Sequence, residues 1–275
     1  PEEDLDASLC SGCGTCAAVC PASAIDMLPR GPGMRSSPCF DARSCISCAH
    51  CAAYCPEDAF RVPLRPTHRE ERMEGAVGRV SIEELLANRR SQRVYSDREP
   101  SQEEIEGLLK VVGLSPTGMN ACGVTVRALV GRSTVRPLFH SVRGALRRLD
   151  RFGLRKLLGA LTGYRRHLDR VLSGEDLVFR DAPCVLFFHY DRASSVTGRQ
   201  DCVIAASLVM VKACELGMAT LWNGVAERLY PMMRSWHDRR LRGMALGAVL
   251  CVGFPGLTPR PLPPRPFGLM LVLGD

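Results

Sequence analysis

Apolar and polar positions follow two periods along this chain, and they predict both strands and helices. Runs rich in apolar and β-branched residues predict strands over 124–131, 184–190, 219–222, 245–252 and 269–273. A helix apolar on nearly all sides is predicted from Cys202 to Leu216, closed by Gly217. Because helices and strands intermix without regular β-α-β alternation, the pattern predicts an α+β fold.

Two helix starts carry the same four-residue signal. Ser81-Ile82-Glu83-Glu84 and Ser101-Gln102-Glu103-Glu104 are capping boxes, in which Ser bonds the amide three residues on and Glu reaches back. They predict helices over 82–87 and 101–112. Apolar spacing predicts a helical region over 138–172, and Asn223-Gly224 is predicted to be a turn.

The length of 275 residues and a hydrophobic content of 46% allow two domains with ordinary cores. The stretch after residue 60 mixes Pro, Arg and Glu with little periodicity, which is typical of a linker. We therefore predict a small cysteine-rich domain over 1–66, a linker over 67–78 and a larger domain over 79–275.

Eight of the 14 cysteines form two runs of the same spacing. The runs are Cys10-x2-Cys13-x2-Cys16-x3-Cys20-Pro21 and Cys45-x2-Cys48-x2-Cys51-x3-Cys55-Pro56. Zinc also accepts C-x2-C pairs, but four cysteines at this spacing, twice, each ending in Cys-Pro, fit zinc poorly. The spacing is the known pattern of bacterial two-cluster ferredoxins, and residues 1–66 resemble that family.

This resemblance implies two [4Fe–4S] clusters, with the fourth cysteine of each run binding the other run's cluster. The implied ligands are Cys10, Cys13, Cys16 and Cys55 for the first cluster, and Cys45, Cys48, Cys51 and Cys20 for the second. The 24 residues between Cys20 and Cys45 depart from the compact pattern. They contain Pro29-Arg30-Gly31-Pro32-Gly33, which predicts a surface loop.

Charge divides unevenly between the two predicted domains. Residues 1–66 carry five basic and eight acidic side chains, whereas the remainder carries 31 basic and 21 acidic. The difference indicates either docking by charge, between the domains or with an acidic redox partner, or only solubility.

The composition also predicts a compartment and excludes some partners. Thiolate ligands and unpaired scattered cysteines indicate reducing conditions, so we expect a cytoplasmic protein. The acidic start lacks the apolar run of a signal peptide. The longest apolar stretch, 203–222, contains Lys212 and Glu215, so no membrane span is expected. No nucleic-acid partner is expected either.

Arg89-Arg90-Ser91-x-Arg93 places three guanidinium groups and a hydroxyl within five residues, a set that suits a phosphate monoester. Further motifs follow in order. They are Ser115-Pro116-Thr117-Gly118-Met119-Asn120, Asp181-Ala182-Pro183, the run from Glu215 to Gly224, Gly253-Phe254-Pro255 and Pro263-Pro264-Arg265. Together they resemble the nitroreductase family of FMN flavoproteins over residues 79–275.

The resemblance implies a nitroreductase-like α+β domain with a central, mostly antiparallel sheet flanked by helices. It implies that Arg89, Arg90, Ser91 and Arg93 hold the FMN phosphate and ribityl chain. Arg265 is implied as a second phosphate ligand, with Arg260 as its substitute. Pro116, Thr117 and Asn120 match a segment that approaches the flavin from the partner subunit, and Asn223 and Gly224 match a turn whose amide faces flavin N5.

The family is a homodimer with FMN at the interface, and the apolar helix 202–216 would supply much of that interface. The alternative is a helix buried in the core of a monomer, which predicts the same pattern.

One departure from the family is Asn120-Ala121-Cys122-Gly123, where many members continue Asn-x-Gln-Pro. Cys122 is therefore a catalytic candidate, although a small buried residue is the favoured interpretation. His189 and Tyr190 end a predicted strand, and a hydrogen-bonded core histidine is favoured over a proton donor.

A basic helical stretch over 140–172 admits three interpretations. A solvated face comes first, a docking surface for an acidic partner second and a membrane-surface helix third. Its cations are Arg143, Arg147, Arg148, Arg151, Arg155, Lys156, Arg165, Arg166 and Arg170. No Ser/His/Asp set, zinc motif or G-x-G-x-x-G fingerprint is found.

These patterns predict an iron–sulfur flavoprotein oxidoreductase. A low-potential donor such as reduced ferredoxin would supply electrons, rather than NAD(P)H alone, and a nitro compound, quinone or conjugated alkene would accept them. One alternative is a non-catalytic electron relay or redox sensor, and the altered Cys122-Gly123 segment favours it. Another is a family member that has lost FMN.

Overall fold

The computed structural model describes residues 5–29, 36–45, 48–60, 81–118, 121–153, 165–193, 196–236, 241 and 243–259. Its helices are α1 (Thr15–Val19), α2 (His50–Ala53), α3 (Ile82–Asn88), α4 (Gln102–Leu109), α5 (Arg132–Arg151), α6 (Arg165–Ser173), α7 (Gly198–Glu215) and α8 (Gly224–Leu229). Its strands are β1 (Ile25–Leu28), β2 (Ser37–Phe40), β3 (Val124–Val130), β4 (Cys184–Asp191), β5 (Ala219–Trp222) and β6 (Met244–Gly253). The predicted linker 67–78 and the predicted strand 269–273 lie outside these residues.

The N-terminal module contains two units with the same arrangement. Each cysteine run enters a short helix through a left-handed residue, Gly14 (φ 76°) before α1 and Ala49 (φ 55°) before α2. Each helix carries the third cysteine of its run, Cys16 or Cys51. Both helices end before Cys-Pro, because proline cannot continue a helix. The strands β1 and β2 pair antiparallel in the interval between the runs.

The larger domain is organised by a four-stranded sheet of order β3-β4-β6-β5 in which every pairing is antiparallel. Along β4, Val185 and Phe187 enter one core while Leu186 and Phe188 enter the other. Both faces of the strand are buried, which explains its continuous apolar run. The predicted α+β fold with an antiparallel sheet flanked by helices is confirmed.

The two cores lie on opposite faces of this sheet. On one face α5, α6 and the 3-10 helix Tyr230–Trp236 cover a core that includes Leu138, Val142, Phe179 and Met233. On the other face α7 packs on β4 and β6 through Cys202, Ala205 and other small residues. Among the described residues, no helix is long and apolar enough to cross a membrane.

The helix starts follow the predicted caps. In α4, Ser101 Oγ accepts the Glu104 N–H (3.2 Å) and Glu104 Oε2 accepts the Ser101 N–H (2.9 Å). At α3, Ser81 Oγ accepts the Glu84 N–H (3.1 Å). The helix predicted over 101–112 ends earlier, at Leu109, and continues as the 3-10 helix Lys110–Leu114.

Two element predictions were wrong. The single helix predicted over 138–172 starts earlier, at Arg132, and ends at Arg151; Gly153, with φ 75°, follows it, and α6 is a separate helix. The turn predicted at Asn223-Gly224 is a helix start, because the Asn223 side chain accepts the Ala226 N–H and caps α8.

Candidate functional site

The first set of four cysteines surrounds a cavity in the N-terminal module. Cys10, Cys13, Cys16 and Cys55 line this cavity, which is partly open to solvent, together with Met27 and Phe60. Every residue that lines this cavity belongs to the first 60 of the chain. The grouping brings three cysteines of the first run together with the fourth cysteine of the second, as the ferredoxin pattern requires.

The other four cysteines are grouped by their mutual electrostatics. The charges of Cys20 and Cys45 act on the thiols of both Cys48 and Cys51. Burial raises the pKa of Cys51 to about 11, so a thiolate at this position needs a positive partner such as iron.

Backbone amides support the fourth cysteine of each run in the same way. The Ala24 N–H donates to Cys20 Sγ and the Ala59 N–H donates to Cys55 Sγ, each at 3.3 Å. Hydrogen bonds to sulfur are among the features by which proteins adjust iron–sulfur clusters. Both cysteine sets therefore fit a thiolate-bound cluster.

Among the residues that the structure describes, no three His, Cys, Asp or Glu side chains lie close enough to hold a single metal ion. In a [4Fe–4S] cluster each thiolate stands on a different iron atom, so its ligands surround a cavity instead.

The arginine motif that follows α3 is held in place from two sides. Ser91 bridges to Thr220 on β5, and the Gln92 N–H donates to the Thr220 carbonyl at 3.0 Å. On the other side, the Gly256 N–H donates to the Val94 carbonyl at 3.0 Å. The motif is therefore an ordered segment at the sheet edge rather than a solvated helix end.

The guanidinium groups of this segment form a candidate anion-binding site. Arg89 Nη1 is buried and has no hydrogen-bond partner among the described residues. Arg93 Nη1 donates to the Ser91 carbonyl at 3.1 Å. Arg90 Nη1 donates to the Arg89 carbonyl at 2.7 Å. A forked cation with a spare buried donor, such as Arg89, fits a phosphate group.

Arg180 is a candidate site residue that the sequence analysis missed. It lies in a left-handed conformation (φ 60°), as does Asp181 (φ 49°), and such backbone is costly for residues other than glycine. Asp176 holds this turn by accepting the N–H groups of Phe179 (2.7 Å), Val178 (3.1 Å) and Asp181 (3.2 Å). Its place directly before Asp181-Ala182-Pro183 was the signal that could have identified it.

Burial, together with the charges of Arg93 and Arg170, lowers the pKa of Arg180 to about 10. The same surroundings lower the pKa of His167 to about 4, through burial and then through Arg180 and Arg170. A concentration of partly buried positive charge is costly alone and is relieved by an anionic ligand.

The segment 116–118 is anchored by α7. The Gly118 N–H donates to Asp201 Oδ1 at 3.1 Å, and Asp201 is buried. A Cβ at Gly118 would lie 1.9 Å from Thr197 Oγ1, so only glycine fits there. Asp201 was not identified from the sequence, because an acidic residue in the first turn of a helix is commonplace.

The favoured interpretation of Cys122 as a small buried residue was wrong. Cys122 is exposed, its φ is 48°, and its N–H donates to Thr117 Oγ1 at 3.0 Å. The Thr117 hydroxyl fixes the backbone of Cys122 in a conformation that leaves this cysteine exposed to solvent.

Asn223 is buried, and its side chain makes three hydrogen bonds within the fold. Its Oδ1 accepts the Ala226 N–H at 2.9 Å, and its Nδ2 donates to the Val178 carbonyl at 2.8 Å and to Cys251 Sγ at 3.1 Å. Gly224 follows as the first residue of α8. Asn120, Arg260 and Arg265 lie outside the described residues.

Part of the basic stretch has an internal role. Arg143 and Arg147 both donate to the Leu172 carbonyl, at 2.8–3.2 Å, and so cap the end of α6. Arg170 donates to Ser23 Oγ at 2.9 Å and pairs with Glu175. Arg147 and Arg170 are nevertheless exposed, so these residues combine an internal role with the predicted solvated face.

His189 is a core histidine, as expected. It is 1% exposed, and its Nε2 lies 2.7 Å from the Tyr230 hydroxyl.

Two parts of the chain match different families of known proteins. Residues 86–242 match the profile of the Nitroreductase family, and residues 9–59 match that of the 4Fe-4S dicluster domain. No curated protein matches the sequence.

Solved structures share the fold of the larger domain. A nitroreductase with bound FMN from Bacteroides fragilis matches with a TM-score of 0.56 and 16% identity, over 71% of this chain and 100% of that one. A nitroreductase with bound FMN from Desulfitobacterium hafniense matches with a TM-score of 0.54 and 19% identity, over 70% and 98%.

Proposed function

This chain belongs to the nitroreductase family and begins with a 4Fe-4S dicluster domain, and on that premise we propose that it is an iron–sulfur flavoprotein oxidoreductase that binds FMN. The proposed donor is a low-potential one-electron carrier such as reduced ferredoxin. The proposed acceptor is a nitro compound, a quinone or a conjugated alkene.

In this proposal the phosphate of FMN is bound by the segment after α3. Arg89 offers a buried donor without a partner among the described residues, and Arg93 adds a second fork. Arg90 and Ser91 complete the set, and Arg265 is proposed as a further phosphate ligand. Because β5 and the loop at Gly256 fix the backbone of this segment, its guanidinium groups are positioned before the ligand arrives.

The reactive end of the site is assigned to two other segments. Pro116 and Thr117 lie on the segment held by Asp201, and Asn120 follows it. The N–H of Gly224 is proposed to face flavin N5, since Asn223 fixes the start of α8 through three hydrogen bonds. These residues orient the ligand and exclude water; a catalytic residue remains unassigned, and Cys122 is the candidate.

When bound, FMN collects two single electrons and delivers them with a proton as a hydride equivalent. The balance is simple: two electrons and two protons convert a quinone to a hydroquinone or saturate a conjugated alkene. A nitro group takes up the same two electrons and two protons to give a nitroso group and water.

The single observation that carries the proposal is the closeness of the two cofactor regions within one chain. Val94, which follows Arg93 of the phosphate segment, and Leu257 pack against Val19, Ala53 and Tyr54 of the N-terminal module. A four-cysteine site beside a flavin-phosphate segment supports electron transfer between the two cofactors.

The proposed assembly is a homodimer. The outer side of α7 exposes Val203 (37%) and Ile204 (39%), and α3, which packs beside it, exposes Ile82 (64%). A second copy of this apolar surface would cover them, as the family resemblance implies. The cysteine content supports a reducing compartment, and the cytoplasm is the proposed location.

The decisive test is purification without oxygen, followed by assay of iron, sulfide and extractable flavin. We expect about eight iron atoms and about one FMN per chain. Steady turnover of a quinone or nitroaromatic with a low-potential donor would support an enzyme. A single slow reduction without turnover would instead support the relay or sensor alternative, and iron without flavin would refute the mechanism.

A further inference from the structure

The N-terminal module packs on the larger domain through a small apolar contact. Val94 and Leu257 of the larger domain cover a buried cluster of the module, which is formed by Val19, Ala53 and Tyr54. The Val94 carbonyl accepts the Gly256 N–H at 3.0 Å, so the covering surface is itself ordered. An interface of a few apolar side chains does not by itself stop two domains from moving relative to each other.

One polar contact between the two parts adds direction to this packing. Arg170, on α6 of the larger domain, donates from Nη1 to Ser23 Oγ at 2.9 Å, and Ser23 is 7% exposed. Glu175 holds the other two nitrogens, since Arg170 Nε donates to Glu175 Oε2 at 2.6 Å and Nη2 donates to Oε1. The side chains of Arg170 and Glu175 are each 44% exposed, so their ion pair adds little stability. Its effect is to fix the direction of the guanidinium group, with Nη1 towards the module.

The two halves of the module differ at this contact. In the turns 20–24 and 55–59, the N–H of the last residue donates to the sulfur of the first at 3.3 Å. The residue before the last is left-handed in both turns, with φ 47° at Ser23 and φ 56° at Asp58. Residues 56–58 are exposed, whereas Ala22 and Ser23 are buried. Because the two turns share these features, the difference in burial identifies the turn 20–24 as the one on the side of the larger domain.

We propose that Arg170 is a positioning residue, whose hydrogen bond to Ser23 holds the ferredoxin-type module on the larger domain of its own chain in the orientation that reduces the flavin. The inference rests on the proposed function, and it deepens that function by assigning a residue that joins the electron-accepting module to the flavin domain. Arg170 acts through Ser23 rather than through a cofactor.

The orientation of the module matters because holding two reacting groups in one geometry speeds the step between them, and a small misplacement slows it. In each step the module loses one electron from a reduced cluster and the flavin gains it. Two such steps, with two protons from water, complete the reduction of the flavin, and the low-potential donor then reduces the module again. Without the contact to Arg170, the module should spend less time in the productive orientation.

The test measures electron transfer within the full-length holoprotein. Oxidised protein is mixed rapidly, without oxygen, with reduced methyl viologen, and absorbance follows the clusters and the flavin. Transfer within the chain is a first-order step that does not depend on the viologen concentration, whereas direct reduction of the flavin by the viologen does. Iron and FMN contents are measured in the same samples.

We expect Arg170→Ala to slow the concentration-independent step about tenfold or more, with iron and FMN contents unchanged. Ser23→Ala should slow it as much and the double variant no further, because both changes remove the same hydrogen bond. Ser23→Asp keeps an acceptor, and Asp58 occupies the equivalent position of the second turn, so this variant should keep the rate. Arg148→Ala is the matched control, since Arg148 is an exposed arginine of the neighbouring helix α5, and it should leave the rate unchanged.

Wild-type rates of electron transfer in Arg170→Ala or Ser23→Ala would overturn the proposal, even if the variant unfolds at a lower urea concentration, because the contact would then serve stability alone. A double variant slower than either single variant would also overturn it, since the two residues would then act separately. If Arg170→Ala does not fold, Ser23→Ala tests the same hydrogen bond. Wild-type protein that holds both clusters yet binds no FMN would instead refute the proposed function.

Discussion

Asp201 Oδ1 accepts the backbone N–H of Gly118 at 3.1 Å, which joins the first turn of α7 to a segment 83 residues earlier in the chain. The same carboxylate accepts the Thr197 hydroxyl at 3.2 Å. A buried carboxylate thereby accepts hydrogen bonds from two donors while it fixes one side of the proposed flavin site.

Replacement of Asp201 should therefore loosen this side of the site. Asp201→Ala leaves the Gly118 N–H without its partner, and we expect unfolding free energy to fall by about 1–3 kcal/mol. Urea unfolding measures the change, and FMN binding should weaken in parallel. Asp201→Asn keeps an acceptor oxygen and should lose less; equal losses in both variants would contradict the hydrogen-bond account.

Gly253 lies where β6 passes Tyr95. A Cβ there would lie 2.6 Å from Pro183 Cγ and 2.8 Å from Tyr95 Cδ1, so Gly253→Ala should displace the arginine segment and cost about 1–3 kcal/mol. Gly107→Ala is the control in α4, where a Cβ would contact nothing within 4 Å. It should stabilise the protein by about 0.5–1 kcal/mol. Thermal unfolding of both variants checks the contrast.

Asn223 acts as donor and acceptor at once. Asn223→Asp keeps the cap of α8 but places a carboxylate against the Val178 carbonyl, and we expect a loss of about 1–3 kcal/mol in stability. Asn223→Ser retains a capping oxygen and a donor and should lose less. If the Asp variant unfolds at the same urea concentration as the wild type, the hydrogen bond to Val178 does not contribute to stability.

His167 predicts a pH dependence. Its pKa falls from an ordinary 6.5 to about 4 in the folded protein, so the unfolded chain binds the proton more tightly. Stability is therefore fully present above pH 6.5 and is lost as the pH falls towards 4, by about 2 kcal/mol between pH 7 and 5. Unfolding at each pH, compared with His167→Gln, isolates the effect, since the variant should lose that part of the slope.

Exposure predicts which thiols react first. Cys122 and Cys39 are exposed and lie outside the predicted ligand sets, whereas Cys184 and Cys251 are buried. Burial raises the pKa of Cys251 to about 12 and raises that of Cys184 as well, so both stay protonated and inert. Mass spectrometry after brief alkylation of the holoprotein should find Cys122 and Cys39 labelled. Labelled Cys122 with unchanged FMN content and turnover would remove it as a catalytic candidate.

Several features were determined by the sequence alone, because local chemistry specifies them. The two cysteine runs, the helix caps at Ser81 and Ser101, and the apolar runs of β4 and β6 each indicate one structure through spacing or composition. The family resemblance supplied the arginine segment in the same way, since Arg89 to Arg93 are neighbours in the chain.

Tertiary structure decided what depends on residues far apart in the chain. Arg180 enters the cationic region only because Asp176 holds a strained turn, Asp201 reaches Gly118 across 83 residues, and Arg143 caps α6 from α5. Charge patterning assigned Arg143 to a solvated face, since a sequence shows a side chain's charge but not the carbonyl that it meets. The packing of Val94 and Leu257 against Val19, Ala53 and Tyr54 likewise arises from domain packing, which no local pattern encodes.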